Sequence, residues 1–169
     1  MKQKFIRTIL CFFLTAAVSA HPAYASQEWP SDVSIEADAG IVMDADSGTV
    51  LYGKNIHGTY SPASITKVLT SIIVLENCDL DEMVTFSKNA VYNVEADSSS
   101  AGYDTGDQAT VRDCLYALLL KSANEAANAL AEHVAGTTEA FAEMMNEKAK
   151  ELGCVDSHFA NPSRLNPAT

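Results

Sequence analysis

The stretch PASITK, residues 62–67, places Ser64 three residues before Lys67 at the start of a long apolar run. Ser61 followed by Pro62 is typical of a helix start, because serine caps free backbone N–H groups and proline fits the first helical position. Residues three apart lie on the same face of a helix, so the hydroxyl and the amine are predicted neighbours. The sequence therefore predicts a helix with a polar pair in its first turn.

This pair would permit a nucleophilic serine that works without a histidine. Backbone N–H groups at a helix start are unsatisfied and partly positive, which suits a developing alkoxide or oxyanion. A lysine amine removed from water loses proton affinity and can act as a base toward a neighbouring hydroxyl. Most S-x-x-K matches are exposed polar residues of ordinary helices. The apolar remainder of this helix favours the catalytic interpretation of Ser64 and Lys67.

A second polar motif, Ser122-Ala123-Asn124, interrupts two helical patterns further along the chain. Taken alone, it is typical of a helix junction in which serine or asparagine caps the next helix. Together the two motifs resemble two of the three that mark class A β-lactamases and penicillin-binding proteins, which are S-x-x-K, S-D-N (here S-x-N, with Ala123 in the middle) and K-T-G. The pair of motifs therefore indicates acyl transfer to serine.

Four segments extend this resemblance, namely PASITKVLT, KSANEAANALAEHVAG, FAEMMNEKAKELG and HFANPSRLNP. They are similar to the low-molecular-weight penicillin-binding proteins of the D-alanyl-D-alanine carboxypeptidase family, over nearly all of residues 38–169. The resemblance implies an α+β fold of the β-lactamase/transpeptidase type and a serine-type carboxypeptidase of peptidoglycan maturation in the cell wall. It also implies a pentapeptide ending in D-Ala-D-Ala as substrate, β-lactams as inhibitors, and no cofactor.

The resemblance gives each motif residue a role. Ser64 is expected to be the nucleophile that forms the acyl ester, and Lys67 to be the general base that takes its proton. Ser122 is expected to relay protons toward the leaving group, and Asn124 to orient Lys67 and the substrate amide. Ser122 and Asn124 thus also serve as substrate-binding residues. The backbone N–H of Ser64 would supply half of an oxyanion hole.

The chain departs from the family pattern in three places. K-T-G is absent, and in the family this motif lies on a strand beyond the position of Thr169, so an amino-terminal fragment with an incomplete sheet is expected. Arg164 stands where the family has glycine, and if the local turn needs a positive φ there, a non-glycine residue costs about 1 kcal/mol or more. Pro162 stands where class A β-lactamases carry a deacylating glutamate before the Leu165-Asn166 pair. Efficient β-lactam hydrolysis is therefore not expected.

Two functions remain open for such a fragment. It is either the acylating half of a carboxypeptidase, active with the remaining strands, or an inactive truncated secreted chain with at most a binding role. An in-frame K-T-G after the last codon would distinguish them. The fragment alone is expected to be inactive, because loss of one oxyanion donor costs about 10²–10³ in rate.

The first 25 residues have the layout of a secretory signal peptide. Lys2, Lys4 and Arg7 precede an apolar run over residues 9–20, and an A-x-A cleavage site follows. An uncleaved membrane anchor is the alternative. At about 1.5 Å per residue, however, the run is too short for a hydrocarbon core of about 30 Å. Export to the cell-wall side is therefore expected, with no membrane anchor in this part of the protein.

The remaining chain is interpreted as a flexible lead-in, residues 26–37, followed by a partial peptidase domain, residues 38–169. The whole chain has 22 acidic and 11 basic residues and a net charge of −11. Such a surface repels nucleic acid, which is excluded as a partner. An odd number of cysteines remains after cleavage, and these are interpreted as small core residues. Neither they nor the histidines show metal-ligand spacing, so no metal site is predicted; the cysteines are Cys78, Cys114 and Cys154.

The hydrophobic pattern predicts one hairpin and several helices. The hairpin has strands at 40–43 and 49–52 around a turn of Asp and Gly residues. Residues 95–108 are rich in Ser, Gly and Asp and are predicted to be irregular. The other predicted elements are helices from Ser61 to Asn77, from Thr110 through Leu119, through Leu130 to Val134 and from Phe141 to Gly153, and a strand from Met83 to Phe86.

Overall fold

A computed structural model describes residues 34–94 and 98–163 of the chain. The predicted signal peptide, most of the predicted lead-in, and Arg164 with the Leu165-Asn166 pair lie outside these ranges. The chain divides into two compact units, one ending at Thr59 and one beginning at Tyr60. Within the described ranges, no helix has the length and apolar character needed to cross a membrane.

The first unit contains the predicted hairpin. Strand β1, Gly40–Met43, pairs in antiparallel orientation with β2, Val50–Lys54. The Asp44 carboxylate accepts hydrogen bonds from the Ser47 backbone N–H at 2.7 Å and from its hydroxyl at 2.6 Å, which closes the turn. The hairpin is confirmed, but β2 continues to Lys54 instead of ending at Tyr52, because Lys54 pairs with Gly40 across the sheet.

The second unit is mainly helical and carries a second two-stranded sheet. A 3₁₀ turn, Ala63–Ile65, precedes the first helix. Strands β3 and β4 are antiparallel, with Val84 opposite Ala109. The elements in chain order are α1 Thr66–Asn77, β3 Met83–Thr85, α2 Lys88–Tyr92, β4 Gln108–Thr110, α3 Val111–Leu120, α4 Asn124–Ala135 and α5 Thr138–Glu151.

Helix α4 forms the centre of this unit. All its residues from Asn124 to Ala131 are buried, and it contacts α1, α2, α3, α5 and β3. Alanine at many of these positions lets the neighbouring helices approach closely, while larger side chains on the neighbours fill the remaining space. The largest fully buried apolar side chains are Ile73, Phe86, Leu118, Leu130, Phe141 and Met145.

The predicted start of α1 is wrong. The α-helix begins at Thr66, and Ser64 lies on the preceding 3₁₀ turn instead of the first α-helical turn. Ala63 has a φ of +46°, a left-handed conformation that an α-helix does not contain. Pro62 has near-helical angles and ends the preceding loop. In a 3₁₀ turn, residues three apart eclipse one another, so Ser64 and Lys67 still share one face.

The apolar run does not make α1 a helix that is buried on most sides. Val68 and Leu75 are 53% and 55% exposed, whereas Lys67, Thr70 and Val74 are buried. The buried face of α1 lies among α3, α4 and α5, and within the described residues its polar side chains have hydrogen-bond partners except for the Thr66 hydroxyl. The Thr70 hydroxyl, for example, donates to the Pro162 carbonyl oxygen at 2.6 Å. Polar side chains are therefore inside and several apolar ones outside.

Capping residues set the ends of the later helices, although the last one spans Thr138–Glu151 instead of the predicted 141–153 and α2 was not predicted. The Thr110 hydroxyl accepts from the Asp113 backbone N–H at 3.1 Å and lies 2.7 Å from the Asp113 carboxylate at the start of α3. Gly136, with φ of +82°, ends α4. The prediction of irregular structure fails at residue 108, where β4 begins. The Gln108 side chain reaches across the sheet to Thr85 at 3.0 Å.

The three cysteines occupy different environments and are all free thiols. Cys114 is buried in the core, and this burial raises the pKa of its thiol to about 12. Cys78 is half-buried and Cys154 is exposed. The interpretation as core residues is confirmed for Cys114 and is wrong for Cys154, which follows the last helix.

Candidate active site

The candidate nucleophile and its lysine lie at the junction between the 3₁₀ turn and α1. Ser64 is exposed, while Lys67 in the first turn of α1 is only 3% exposed. The Lys67 Nζ lies 3.4 Å from the Ser64 Oγ. An exposed hydroxyl is thus held against an amine that is withdrawn from solvent, as a substrate-accessible nucleophile and its base require.

The loop between α3 and α4 completes the surroundings of Lys67. Its Nζ lies 2.9 Å from the Ser122 carbonyl oxygen, 3.0 Å from the Ser122 hydroxyl and 2.6 Å from Asn124 Oδ1. The carbonyl and amide oxygens only accept hydrogen bonds, so they take two hydrogens of the amine. A neutral amine then directs its lone pair toward the hydroxyls, which have protons to give.

The two hydroxyls are also in contact with each other. Ser122 Oγ lies 3.0 Å from Ser64 Oγ, so Ser64, Lys67 and Ser122 form a closed triangle of hydrogen-bonding atoms. Each hydroxyl can donate to one corner and accept from the other, because hydroxyl hydrogens rotate freely. This arrangement can move a proton from Ser64 to Lys67, or between the amine and Ser122, without a change in the backbone.

Two left-handed backbone conformations border this triangle. Ser122 has a φ of +57° and Ala63 a φ of +46°, and a non-glycine residue pays about 1–2 kcal/mol in this region. Such strained residues cluster at functional sites, where the surrounding structure holds them. The Ser122 conformation turns both its carbonyl and its hydroxyl toward the same lysine.

The four site residues predicted from sequence are all brought together. Ser64 and Lys67 come from one segment, and Ser122 and Asn124 come from a segment more than fifty residues away in the chain. The buried first turn of α4 supplies Asn124, and the adjacent first turn of α1 supplies Lys67. The two helices therefore start side by side at this site.

Glu125 is a supporting residue that the sequence reasoning missed. It is 2% exposed, and its Oε1 accepts from the Ser100 hydroxyl at 2.7 Å and from the backbone N–H groups of Ala101 at 2.6 Å and Gly102 at 3.1 Å. The backbone N–H of Asn124 is bonded in turn to the Ser99 carbonyl at 2.9 Å. An acidic residue in the first turn of a helix was the available sequence signal.

Replacing Glu125 with alanine is expected to lower the free energy of unfolding by about 1–3 kcal/mol, because three donors lose a buried acceptor. Glu125→Gln retains one side-chain oxygen and is the matched control, with a smaller loss expected. Urea denaturation of the intact protein measures both values. Equal stability of Glu125→Ala and the unchanged protein would contradict this account of the loop.

Comparison with known proteins agrees with this geometry. A family model described as D-alanyl-D-alanine carboxypeptidase matches residues 24–169. The chain is 33% identical over 150 residues to D-alanyl-D-alanine carboxypeptidase DacF of Bacillus subtilis, covering 86% of this chain and 39% of DacF. It is 36% identical over 148 residues to DacC of Escherichia coli, covering 83% of this chain and 37% of DacC.

A solved structure gives the same result for the fold. The crystal structure of the carboxypeptidase DacD from Francisella tularensis superposes with a TM-score of 0.76 at 34% identity, over 83% of this chain and 34% of that one. The fold is therefore the α+β fold of the penicillin-binding proteins, and the chain spans about two fifths of the length of DacF and DacC. The match of fold and sequence over most of the chain shows that it belongs to the D-alanyl-D-alanine carboxypeptidase family.

Proposed function

We propose that this chain supplies the acylating residues of a serine-type carboxypeptidase that removes the last D-alanine from peptides ending in D-Ala-D-Ala. The closed triangle of Ser64, Lys67 and Ser122 is the observation that carries the proposal. Membership of the D-alanyl-D-alanine carboxypeptidase family supports it. The pentapeptide of peptidoglycan is the proposed substrate, and β-lactams are the proposed inhibitors.

The proposed reaction begins with transfer of the Ser64 hydroxyl proton to the Lys67 amine. The Ser64 Oγ then attacks the carbonyl carbon of the penultimate D-alanine and forms a tetrahedral intermediate. As the C–N bond breaks, Ser122 passes a proton from Lys67 to the departing amine of the terminal D-alanine. A water molecule then attacks the acyl ester and gives its proton to the same lysine, which returns it to Ser64.

Asn124 is proposed to keep Lys67 in the required orientation. Its Oδ1 lies 2.6 Å from Lys67 Nζ and holds one amine hydrogen away from Ser64. The same side chain is proposed to bind the substrate amide, together with Ser122. Asn124 and Ser122 would thus hold the Lys67 amine and the substrate peptide in the geometry that the reaction needs. Reactants held in this way have a lower activation barrier.

The backbone N–H of Ser64 is proposed as one donor of the oxyanion hole. It lies on the 3₁₀ turn that precedes α1, and the first backbone N–H groups of a helical segment lack intrahelical partners. The sequence contains no K-T-G to supply a second donor. We propose that residues 38–169 belong to one peptidase domain, that residues 1–25 direct export, and that the reaction takes place on the cell-wall side.

The test uses two assays on the intact protein, meaning here the chain together with the remaining strands of the peptidase domain. Release of D-alanine from an N-acylated tripeptide ending in D-Ala-D-Ala should be saturable, and the same peptide ending in L-Ala-L-Ala should give none. A fluorescent penicillin should label one residue, which peptide mass mapping should assign to Ser64. Absence of both release and labelling would favour a protein with only a binding role, and labelling elsewhere would remove Ser64 as nucleophile.

A further inference from the structure

A second group of reactive side chains lies at the opposite ends of the two helices that carry the candidate active site. Cys78 follows the last residue of α1, His133 lies in the last turns of α4, and Glu82 lies just before β3. Their ligand atoms, one sulfur, one nitrogen and one oxygen, all lie within 4.8 Å of one another. His133 Nε2 and Glu82 Oε2 are 2.9 Å apart.

The backbone around these three residues is fixed by hydrogen bonds. The Cys78 N–H donates to the Val74 carbonyl at 3.0 Å, and the Glu82 carbonyl accepts from the Val111 N–H at 2.9 Å. His133 belongs to the central helix of the unit. The three side chains therefore come from two regions that are already held in place, the connection between α1 and β3 and the central helix α4, so little ordering is needed to bring them onto one ion.

The two oxygens of the Glu82 carboxylate have different partners, one in the backbone and one in the cluster. Its Oε1 accepts from the Asp79 backbone N–H at 2.6 Å, which leaves Oε2 directed at His133. A ligating carboxylate is commonly oriented by such a second hydrogen bond. The His133 and Glu82 side chains are 23% and 43% exposed, so an ion and a water molecule can enter from solvent.

We propose that Cys78 Sγ, His133 Nε2 and Glu82 Oε2 bind a Zn²⁺ ion, with water as the fourth ligand. Zinc takes mixed sulfur, nitrogen and oxygen ligands at about 2.0–2.3 Å, which places tetrahedral ligand atoms about 3.3–3.8 Å apart. Two ligand atoms at the observed limit of 4.8 Å would have to approach each other by about 1.0–1.5 Å. On binding, the thiol proton leaves to solvent and the proton between His133 Nε2 and Glu82 Oε2 moves to His133 Nδ1 or to solvent, so that two metal bonds replace this hydrogen bond.

The ligand types select zinc over other common divalent ions. A thiolate is a soft ligand that suits Zn²⁺, whereas Mg²⁺ and Ca²⁺ require oxygen ligands. The sequence spacing gives no indication of the cluster, because Cys78 and His133 are 55 positions apart in the numbering. Only the parallel packing of α1 and α4 brings them together.

The position of the cluster suggests a structural role for the ion. Lys67 and Asn124 meet at the start of α1 and α4, and Cys78 and His133 meet at their ends. Each helix has 12 residues, a length of about 18 Å, so the ion lies too far from Ser64 to take part in acylation. It would join the far ends of the two helices and hold them in their relative register.

Cobalt titration of the intact, metal-free protein tests the site independently of the proposed enzyme activity. Co²⁺ should bind with one-to-one stoichiometry and give a thiolate-to-cobalt charge-transfer absorption, which Zn²⁺ should displace. Cys78→Ser should remove this absorption, and His133→Gln and Glu82→Gln should weaken Zn²⁺ binding by more than about tenfold. Cys154→Ser and His158→Gln are the matched controls and should bind as the unchanged protein does.

Thermal unfolding gives a second measurement that does not depend on the spectrum. Zn²⁺ should raise the Tm of the unchanged protein and of Cys154→Ser, because an ion that binds only the folded state stabilises it. It should leave the Tm of Cys78→Ser unchanged, provided that circular dichroism shows this variant to be folded. If the folded, unchanged protein binds neither ion, or if the absorption follows Cys154, the site does not exist and His133 and Glu82 form an ion pair only.

Discussion

Replacing Ser64 with alanine is expected to abolish penicillin labelling and to lower D-alanine release by a factor on the order of 10⁶, the scale seen when a serine peptidase loses its nucleophile. The reason is geometric, since Ser64 carries the exposed hydroxyl of the triangle and Ser122 Oγ lies behind it against Lys67. The measurement compares kcat/KM and the rate of acylation in the intact protein.

Ser61→Ala is the matched control, because Ser61 is an exposed serine only three residues away. This variant should keep its labelling and turnover. The unfolding midpoint of Ser64→Ala should also remain close to that of the unchanged protein, because an exposed hydroxyl contributes little to stability. Labelling that survives in Ser64→Ala would assign acylation to another residue and overturn the proposed mechanism.

Replacing Lys67 with arginine is expected to lower the acylation rate by about 10²–10⁴, the usual contribution of general acid–base catalysis. Arginine offers several donors to the Ser122 carbonyl and Asn124 Oδ1, but it stays protonated in proteins and therefore cannot accept the Ser64 proton. The substitution therefore separates the role of Lys67 as base from its role as a hydrogen-bond donor. Stopped-flow acylation by a chromogenic β-lactam measures the effect.

Lys67→Ala should lower the acylation rate as Lys67→Arg does. It should also lower the free energy of unfolding, because the buried Asn124 Oδ1 loses a donor at 2.6 Å. Lys121→Ala is the control, since Lys121 is an exposed lysine next to Ser122. It should acylate at the normal rate. If Lys67→Arg acylated as fast as the unchanged protein, with its fold intact, another group would have to take the proton from Ser64.

The sequence determined the features that depend on neighbouring residues. The hairpin around Asp44, the cap at Thr110 and the helix stop at Gly136 follow from local turn and capping chemistry, and each is present. The spacing of Ser64 and Lys67 also follows from local geometry, because residues three apart align in a 3₁₀ turn as they do in an α-helix. The family resemblance likewise rested on short local motifs, such as the pair Ser64 and Lys67 and the segment Ser122-Ala123-Asn124.

The tertiary structure decided what is buried and which distant segments meet. The sequence of α1 is an apolar run, yet its buried face carries Lys67 and Thr70, because packing against the neighbouring helices decides which side of α1 is covered. The left-handed conformations of Ala63 and Ser122 have no sequence signal, since neither residue is glycine. Local sequence patterns do not specify contacts between segments 50 or more residues apart. Asn124 lies against Lys67, and Cys78 lies near His133, only because α1 packs on α4.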